Sequence, residues 1–334
     1  MQWDVAGLGN ALMDALVVLD DDALIDELGL VRGTMHPVEH DRWTEVYERV
    51  QTHGVVFDSG GSCANSVATV GRLGGKAVYA GQVGDDQMGR LYASLMEKAC
   101  GTHRLRFAKS GPTGKCLSII AKRDAERTML TDLGAAVRLP ELGAYAEELK
   151  STKIGHFTGY TLLDGPMREV ALEAVRTVSD AGGLVSLDVA DPFVCKLIAP
   201  LLWEVLEAYT DIAFLNADEA RALADCEDPI EAASIVHERA RVRTVAVKLG
   251  SEGSMVVHDG ERYRVPAYLV KAIDTTGAGD AYAGGFLYGL VNGFPIDRCA
   301  RLGSATASLA VSQIGAVVKD MDALAEAIRR SENA

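Results

Sequence analysis

The sequence predicts a three-layer α/β fold: a mostly parallel central sheet covered by helices on both faces, with a small β lid. Three observations predict it. Short apolar runs alternate with helical patterns along most of the chain, the β-α-β alternation of parallel sheets. The C-terminal part reads as helix almost throughout. Two regions break the alternation with short β-rich pieces able to pair into a sheet of their own.

In chain order, residues 4–7 open as a strand. The stretch 12–35 carries the apolar run 15–19 and an acidic turn at 20–22. Residues 55–57 lead through Gly60-Gly61 into a helix over 62–73. A strand over 77–83 and an amphipathic helix over 88–99 follow. Three β-rich pieces come next, 104–108, 115–122 and 127–131, joined by loops that hold Gly111-Pro112 and Asp124-Ala125. Four buried strands, 153–158, 185–189, 212–215 and 244–249, alternate with helices over 166–181, 192–208 and 217–240. Helices over 280–292, 296–312 and 321–330 close the chain. The expected organisation is one large α/β domain over 1–334. A lid subdomain from about 12–40 and 104–135 is inserted in it, over the C-terminal edge of the main sheet, where open α/β folds bind ligands.

The 334 residues are 48% hydrophobic and 24% charged, ordinary for a soluble globular protein. A formal net charge of -14 argues against a nucleic-acid partner or an anionic membrane surface. The six cysteines form no CxxC pair and read as reduced thiols. No signal peptide and no run of ~18 apolar residues is visible. The expectation is a cytoplasmic protein with a small-molecule substrate, a monomer or a homodimer.

The most informative stretch is Asp274-Thr275-Thr276-Gly277-Ala278-Gly279-Asp280. Gly277 and Gly279 can take backbone angles closed to other residues, so the amides of 277–279 can converge at a helix N-terminus and hold an anion. Asp280 beside that hole is itself an anion, and chemistry is the natural reason. The hole steadies negative charge moving through a phosphoryl group while Asp280 accepts the proton of an attacking hydroxyl. A capping role for Asp280 is the plainer alternative. The helix N-terminus is expected to lower its pKa.

Four further groups carry candidate chemistry. Gly60 and Gly61 follow a strand and permit close approach of a ligand, and Asn65 in the next helical turn suits a neutral polyol; a structural turn explains the same residues. Asn10 and Asp14 lie near the end of the first strand, where a carboxylate can hold a sugar diol or simply sit as a charge on a loop surface. Asn216 and Glu219 share a face of the first helical turn and can hold the water shell of Mg²⁺, or simply cap the helix. Lys248, Gly250 and Gly253 end a strand as a nucleotide-contacting loop or as a plain hairpin turn. Two decoys fall away: Gly7-Leu8-Gly9-Asn10-Ala11-Leu12 lacks the third glycine of a dinucleotide fingerprint, and the Walker-like run 111–116 is followed by β-rich sequence.

Together these motifs resemble the ribokinase-like (PfkB) carbohydrate and nucleoside kinases, over about residues 3–330. Gly60–Asn65 running on to Gly84-Asp85-Asp86-Gln87-Met88-Gly89 is similar to that family's N-terminal signature, and Asp274–Asp280 to its C-terminal one. The resemblance implies ATP as donor, with Mg²⁺. It implies Asp280 as catalytic base and Gly277, Ala278 and Gly279 as anion hole. Asn216 and Glu219 would act on the Mg²⁺–phosphate waters, and Asn216, Lys248, Gly250 and Gly253 would lie near the nucleotide. Asn10, Asp14, Gly60, Gly61 and Asn65 would hold the acceptor. Many members also take a monovalent cation such as K⁺, near Asp274. The opening 7–14 and the run 313–316 look like those of adenosine kinases, so the expected reaction moves the γ-phosphate of ATP to a primary hydroxyl of a nucleoside such as adenosine. In that picture Leu12, Met35, Cys116, Leu130, Leu133 and Phe157 would flank the base. A free-sugar kinase of the ribose, fructose or 2-keto-3-deoxygluconate type, and a non-catalytic nucleotide or sugar sensor, are the alternatives.

Overall fold

The computed structural model describes residues 2–20, 23–124 and 126–332. Asp21 and Asp22 of the acidic turn, and Ala125, lie outside them. Fourteen strands are found among the described residues: β1 Trp3–Leu8, β2 Leu12–Leu19, β3 Met35–Pro37, β4 Val56–Gly60, β5 Ala77–Gly84, β6 His103–Ala108, β7 Gly114–Ala121, β8 Arg127–Asp132, β9 Thr152–Thr158, β10 Leu184–Asp188, β11 Ile212–Asn216, β12 Thr244–Lys248, β13 Ser254–His258 and β14 Glu261–Val265.

Nine strands form the main sheet in the order β14-β13-β12-β11-β10-β9-β1-β5-β6. Seven run parallel, from β12 to β6, and the β13–β14 hairpin adds an antiparallel edge. β1 lies inside the sheet with β5 on one side and β9 on the other. The chain therefore builds first one way and then the other from β1, which makes β1 the switch point of the sheet. Each face carries its own core. Leu8, Phe157, Leu187 and Leu215 pack under helices on one side. Val5, Tyr79, Phe214 and Phe286 pack on the other.

The remaining strands make a small sheet, β3-β8-β7-β2-β4. One face buries Val17, Leu117, Ile119 and Leu130 against Trp43, Val46 and Val50 of the helix His40–Val50. That leaves the opposite face to the main sheet's C-terminal edge.

Three expectations change. Residues 104–108 join the main sheet as β6, parallel to β5, and not the small one. The amphipathic helix Gln87–Cys100 before them makes a β-α-β crossover, which outranks the apparent β-β-β succession. The strand near residue 55 belongs to the small sheet, where β4 pairs antiparallel with β2. The helix expected over 217–240 is two, Ala217–Ala224 and Pro229–Ala240. Asp225 ends the first with φ +49, and Asp228-Pro229 starts the second. The β13–β14 hairpin and the helix His40–Val50 were not foreseen. Among the described residues no helix is long and apolar enough to cross a membrane.

Candidate active site

The C-terminal ends of the parallel strands deliver polar side chains to one edge. β10 ends on Asp188, β11 on Asn216 and β12 on Lys248, and Asn10 follows β1. Two helices begin above this edge, Ser62–Arg72 and Ala278–Val291, and pack against each other. Their closeness depends on small residues: a Cβ on Gly284 would strike the Ser66 carbonyl and Thr69. The small-residue run after Asp280 thus brings two helix N-termini side by side.

Asp280 sits at that junction. Its Oδ1 accepts a hydrogen bond from Ser62 Oγ at 2.6 Å and its Oδ2 one from Asn65 Nδ2 at 2.8 Å. The carboxyl is pushed above its ordinary pKa by desolvation, which outweighs the downward pull of those two hydrogen bonds; nearby Asp188 raises it further and Lys248 lowers it. The expected lowering by the helix N-terminus is therefore overturned. Gly277 caps the helix in the left-handed region at φ +69, against Ala316. The N–H groups of Gly277, Gly279 and Asp280 have no hydrogen-bond partner among the described residues, and Ala278 N–H reaches the Thr275 carbonyl only at 3.5 Å. Unpaired donors at a helix start fit an anion. The loop before them is pinned by Asp274, which is fully buried. Its Oδ1 accepts from Thr276 N–H and hydroxyl, and its Oδ2 from Gly315 N–H at 3.0 Å. Both oxygens of the residue expected near a monovalent cation are thus engaged within the protein.

On one side of this crook lies a cavity of about 400 Å³, lined by Lys248, Gly250, Gly253, Ala278, Gly279 and Leu269 among others. The cavity therefore brings three of the four expected nucleotide residues, Lys248, Gly250 and Gly253, to Ala278 and Gly279 of the expected anion hole; Asn216 and Gly277 do not line it. Lys248 Nζ donates to Asp188 Oδ2 at 2.7 Å and would sit 3.1 Å from a Cβ on Gly279. Burial pulls its pKa down, but Asp188 and Glu219 hold the ammonium above its usual range, so it stays charged. The turn at 250–252 does form a hairpin connection: a Cβ on Gly253 would strike the Val265 carbonyl, whereas nothing lies near Gly250. An anionic nucleotide fits this donor set.

Asn216 and Glu219 form a complete capping box. Asn216 N–H and Nδ2 donate to Glu219, and Glu219 N–H donates to Asn216 Oδ1. Helix capping thus accounts for their spacing. Burial pushes the Glu219 carboxyl up, partly offset by Lys248. Among the described residues no cluster of His, Cys, Asp or Glu is built to hold a metal directly. A Mg²⁺ ion with most of its waters retained fits the Asn216–Glu219 pair better than a directly bound ion.

On the other side of the crook stands the small sheet. Asp14 on β2 lies opposite Asp58 on β4 and Cys116 on β7, so the three share the face turned from the Trp43 core. Asp14 is buried and has no hydrogen-bond partner among the described residues. Desolvation pushes its pKa up to about 8, with Asp58 and Asp280 adding to it and Arg127 opposing. Gly60 and Gly61 are needed first by the protein itself. A Cβ on Gly60 would fall inside the Asp14 carboxylate, and one on Gly61, at φ +94, inside the Asn10 carbonyl oxygen. Asn10 Oδ1 and Asn65 Oδ1 are buried without a partner. Of the residues expected around a base, Leu12, Met35 and Cys116 share the Asp14 face by alternation. Leu130 and Phe157 do not: the first packs in the Trp43 core and the second under the helices of the main sheet. Met129 holds the register position opposite Met35 instead. Leu133 is exposed beyond the end of β8.

Sequence reasoning missed three residues. Asp188 ends an apolar strand exactly where Asn216 and Lys248 end theirs, and that parallel was the available signal. Arg127 Nη1 donates to Thr276 Oγ1 at 3.1 Å, linking the small sheet to the crook; only the parity of β8 could have found it. Ser62, the first residue of its helix, donates to Asp280, and the position before it, Gly61, is the cap.

Known proteins match this chain in sequence and fold. The family model described as "pfkB family carbohydrate kinase" matches residues 34–323. The chain is similar to the solved structure of adenosine kinase from Sinorhizobium meliloti, with 34% identity, a TM-score of 0.90, and coverage of 99% of this chain and 100% of that one. It is also similar to a probable sugar kinase from Rhizobium etli CFN 42, with 30% identity, a TM-score of 0.91, and 99% of both chains covered. Adenosine kinase of Schizophyllum commune is 28% identical over 331 residues, 92% of this chain and 94% of the relative.

Proposed function

Because the chain belongs to the pfkB family of carbohydrate kinases, we propose that it moves the γ-phosphate of ATP to a primary hydroxyl of a ribosyl acceptor, with a nucleoside such as adenosine as the first choice. The observation that carries the reading is the position of Asp280. Its carboxylate lies between unpaired helix-start amides and a cavity with a charged lysine on one side, and an unpartnered aspartate, Asp14, on the other.

Kinases of this family use ATP; when bound it would supply the phosphoryl group, with Mg²⁺ neutralising charge through waters held by Asn216 and Glu219. Lys248, Gly250 and Gly253 bind on the donor side, and Asp188 keeps the lysine ammonium aimed at the crook. Asp280 takes the proton of the acceptor hydroxyl, and its raised pKa suits a base that must accept a proton. The amides of 277–280 and the Arg127 guanidinium steady the negative charge that develops beside them. Asp14 accepts hydrogen bonds from two adjacent hydroxyls of the acceptor, while Asn10 and Asn65 offer their unpartnered oxygens. The small sheet serves as the lid and acceptor wall.

The nucleoside reading draws on the 34% identity to a protein named adenosine kinase. A free-sugar acceptor has its own support. Among the described residues, the sheet positions on the Asp14 face include Leu12, Met35, Cys116 and Met129 and hold no aromatic side chain to stack on a base. The test is incubation with ATP, Mg²⁺ and a panel of adenosine, other nucleosides, ribose, fructose and 2-keto-3-deoxygluconate. Phosphorylation of adenosine ahead of the rest is the expected result. Preference for a free sugar would move the acceptor assignment, and tight binding without any product would replace the kinase with a sensor.

A further inference from the structure

A second carboxylate stands beside Asp14 without an assigned role. Asp58 lies directly across from Asp14 on the neighbouring antiparallel strand, so their side chains leave the sheet on the same face with Cβ atoms ~4.5–5.5 Å apart. Both are buried. Asp58 is engaged where Asp14 is not. Its Oδ1 accepts from Ser59 N–H at 2.9 Å, and its buried Oδ2, which accepts no aligned hydrogen bond, forms an ion pair with Lys319 Nζ at 2.8 Å. A Cβ on Gly315 would lie 3.4 Å from the same oxygen, so the 313–319 segment closes over Asp58. That segment is also tied to the crook, through Gly315 N–H on Asp274. Two buried carboxylates this close repel when both are ionised, and the one without a cation partner gives way.

We propose that Asp58 is a positioning residue that sets the charge on Asp14, and that Lys319, paired with Asp58, moderates its effect. The consequence for catalysis rests on the reading that Asp14 holds the acceptor. Asp14 must be ionised to accept hydrogen bonds from both hydroxyls of a diol, so Asp58 decides the pH range in which the acceptor binds well. The charged and titratable groups facing Asp14 from the elements packed on it are Asp58 from β4, Cys116 from β7, Arg127 from β8, Tyr92 from the helix Gln87–Cys100, and Asp274 and Asp280 from the crook. After desolvation, Asp58 is the strongest of the influences raising Asp14, and Arg127 is the opposing one.

The test follows the Asp14 carboxyl carbon by NMR in ligand-free protein carrying ¹³C-labelled aspartate, assigned by its loss in Asp14→Asn. The midpoint is expected near pH 8 in the parent protein. It should fall by about one unit in Asp58→Asn and rise by a few tenths in Lys319→Met, as expected for an ion pair whose lysine is exposed to solvent. In the double variant Lys319→Met should have no further effect, because its route to Asp14 runs through Asp58. An unmoved midpoint in Asp58→Asn, or the same Lys319→Met shift with and without Asp58, overturns the proposal. Lys319 is exposed, so that variant reports even where Asp58→Asn folds poorly. Adenosine and ribose affinities measured without ATP across the same pH range form the second arm. Affinity that tracks the midpoint supports the consequence. A midpoint that moves while both affinities stay flat leaves the coupling standing and removes Asp14 from the acceptor site.

Discussion

The two sides of the Asp280 crook are built differently. On the main-sheet side every charged group is matched: Lys248 with Asp188, Glu219 with Asn216. On the small-sheet side the polar groups are left short: Asp14 has no partner, and the Asn10 and Asn65 carbonyl oxygens are buried unpaired. Unmet hydrogen-bonding capacity in a buried place costs stability unless a ligand meets it. The difference teaches that the proposed donor side is a finished frame, while the proposed acceptor side keeps the unmet capacity that a substrate would fill.

The largest expected effect breaks that contrast on the acceptor side. Asp14→Asn should raise the acceptor KM by about 10- to 100-fold, the worth of hydrogen bonds to a charged group, while the ATP KM stays near its parent value. Steady-state kinetics with each substrate varied in turn checks this. An equal loss on both sides would erase the distinction. Lys248→Met probes the donor side and should raise the ATP KM by about tenfold with little change in the acceptor KM. It also leaves Asp188 a buried charge without its cation, so a lower melting temperature is expected alongside.

The pH profile sharpens the contrast further. With its pKa pushed up to about 8, Asp14 keeps its proton at neutral pH, so acceptor kcat/KM should climb from pH 6 towards about 8 as Asp14 ionises. The donor side should show no comparable rise in nucleotide affinity. Stability should move oppositely. Between the unfolded value near 3.8 and the folded value of about 8, the native state binds the Asp14 proton that the unfolded chain has lost, so this group's contribution falls as pH rises through that window. Asp14→Asn should therefore melt higher than the parent at pH 8, and the gain should vanish at pH 4. The smallest effect is expected at Gly250, where Gly250→Ala meets open space and costs only the left-handed strain of roughly 1–2 kcal/mol; Gly253→Ala, driven into the Val265 carbonyl, should cost more. Thermal melting distinguishes the two.

The same divide governs how much could be read from the sequence. The donor side and the crook were legible because they lie on single segments: a strand end followed by Lys248-Leu249-Gly250, a helix start at Asn216, and the glycines before Asp280. Their geometry is local, and residue type with spacing conveys it. The acceptor side is assembled from the five strands of a sheet whose pairing no local pattern specifies. Asp58 meets Asp14 only because β4 runs antiparallel to β2, and Arg127 reaches Thr276 from 149 residues away. Leu130 was expected at the base and Met129 was not, a one-residue slip that turns a side chain to the opposite face. The pKa of Asp280 was misjudged for a related reason. Its helix start was visible, but the desolvation by neighbouring helices that outweighs it was not.

The central claim is that Asp280 acts as the base between two half-sites. Its most direct test compares parent and Asp280→Asn in phosphoryl transfer from ATP, with Mg²⁺ and whichever acceptor of the panel the parent uses, after matching their melting temperatures and ATP affinities. The account predicts a turnover loss of at least ~10²-fold, with binding of both substrates retained. Near-parent turnover by Asp280→Asn would contradict it.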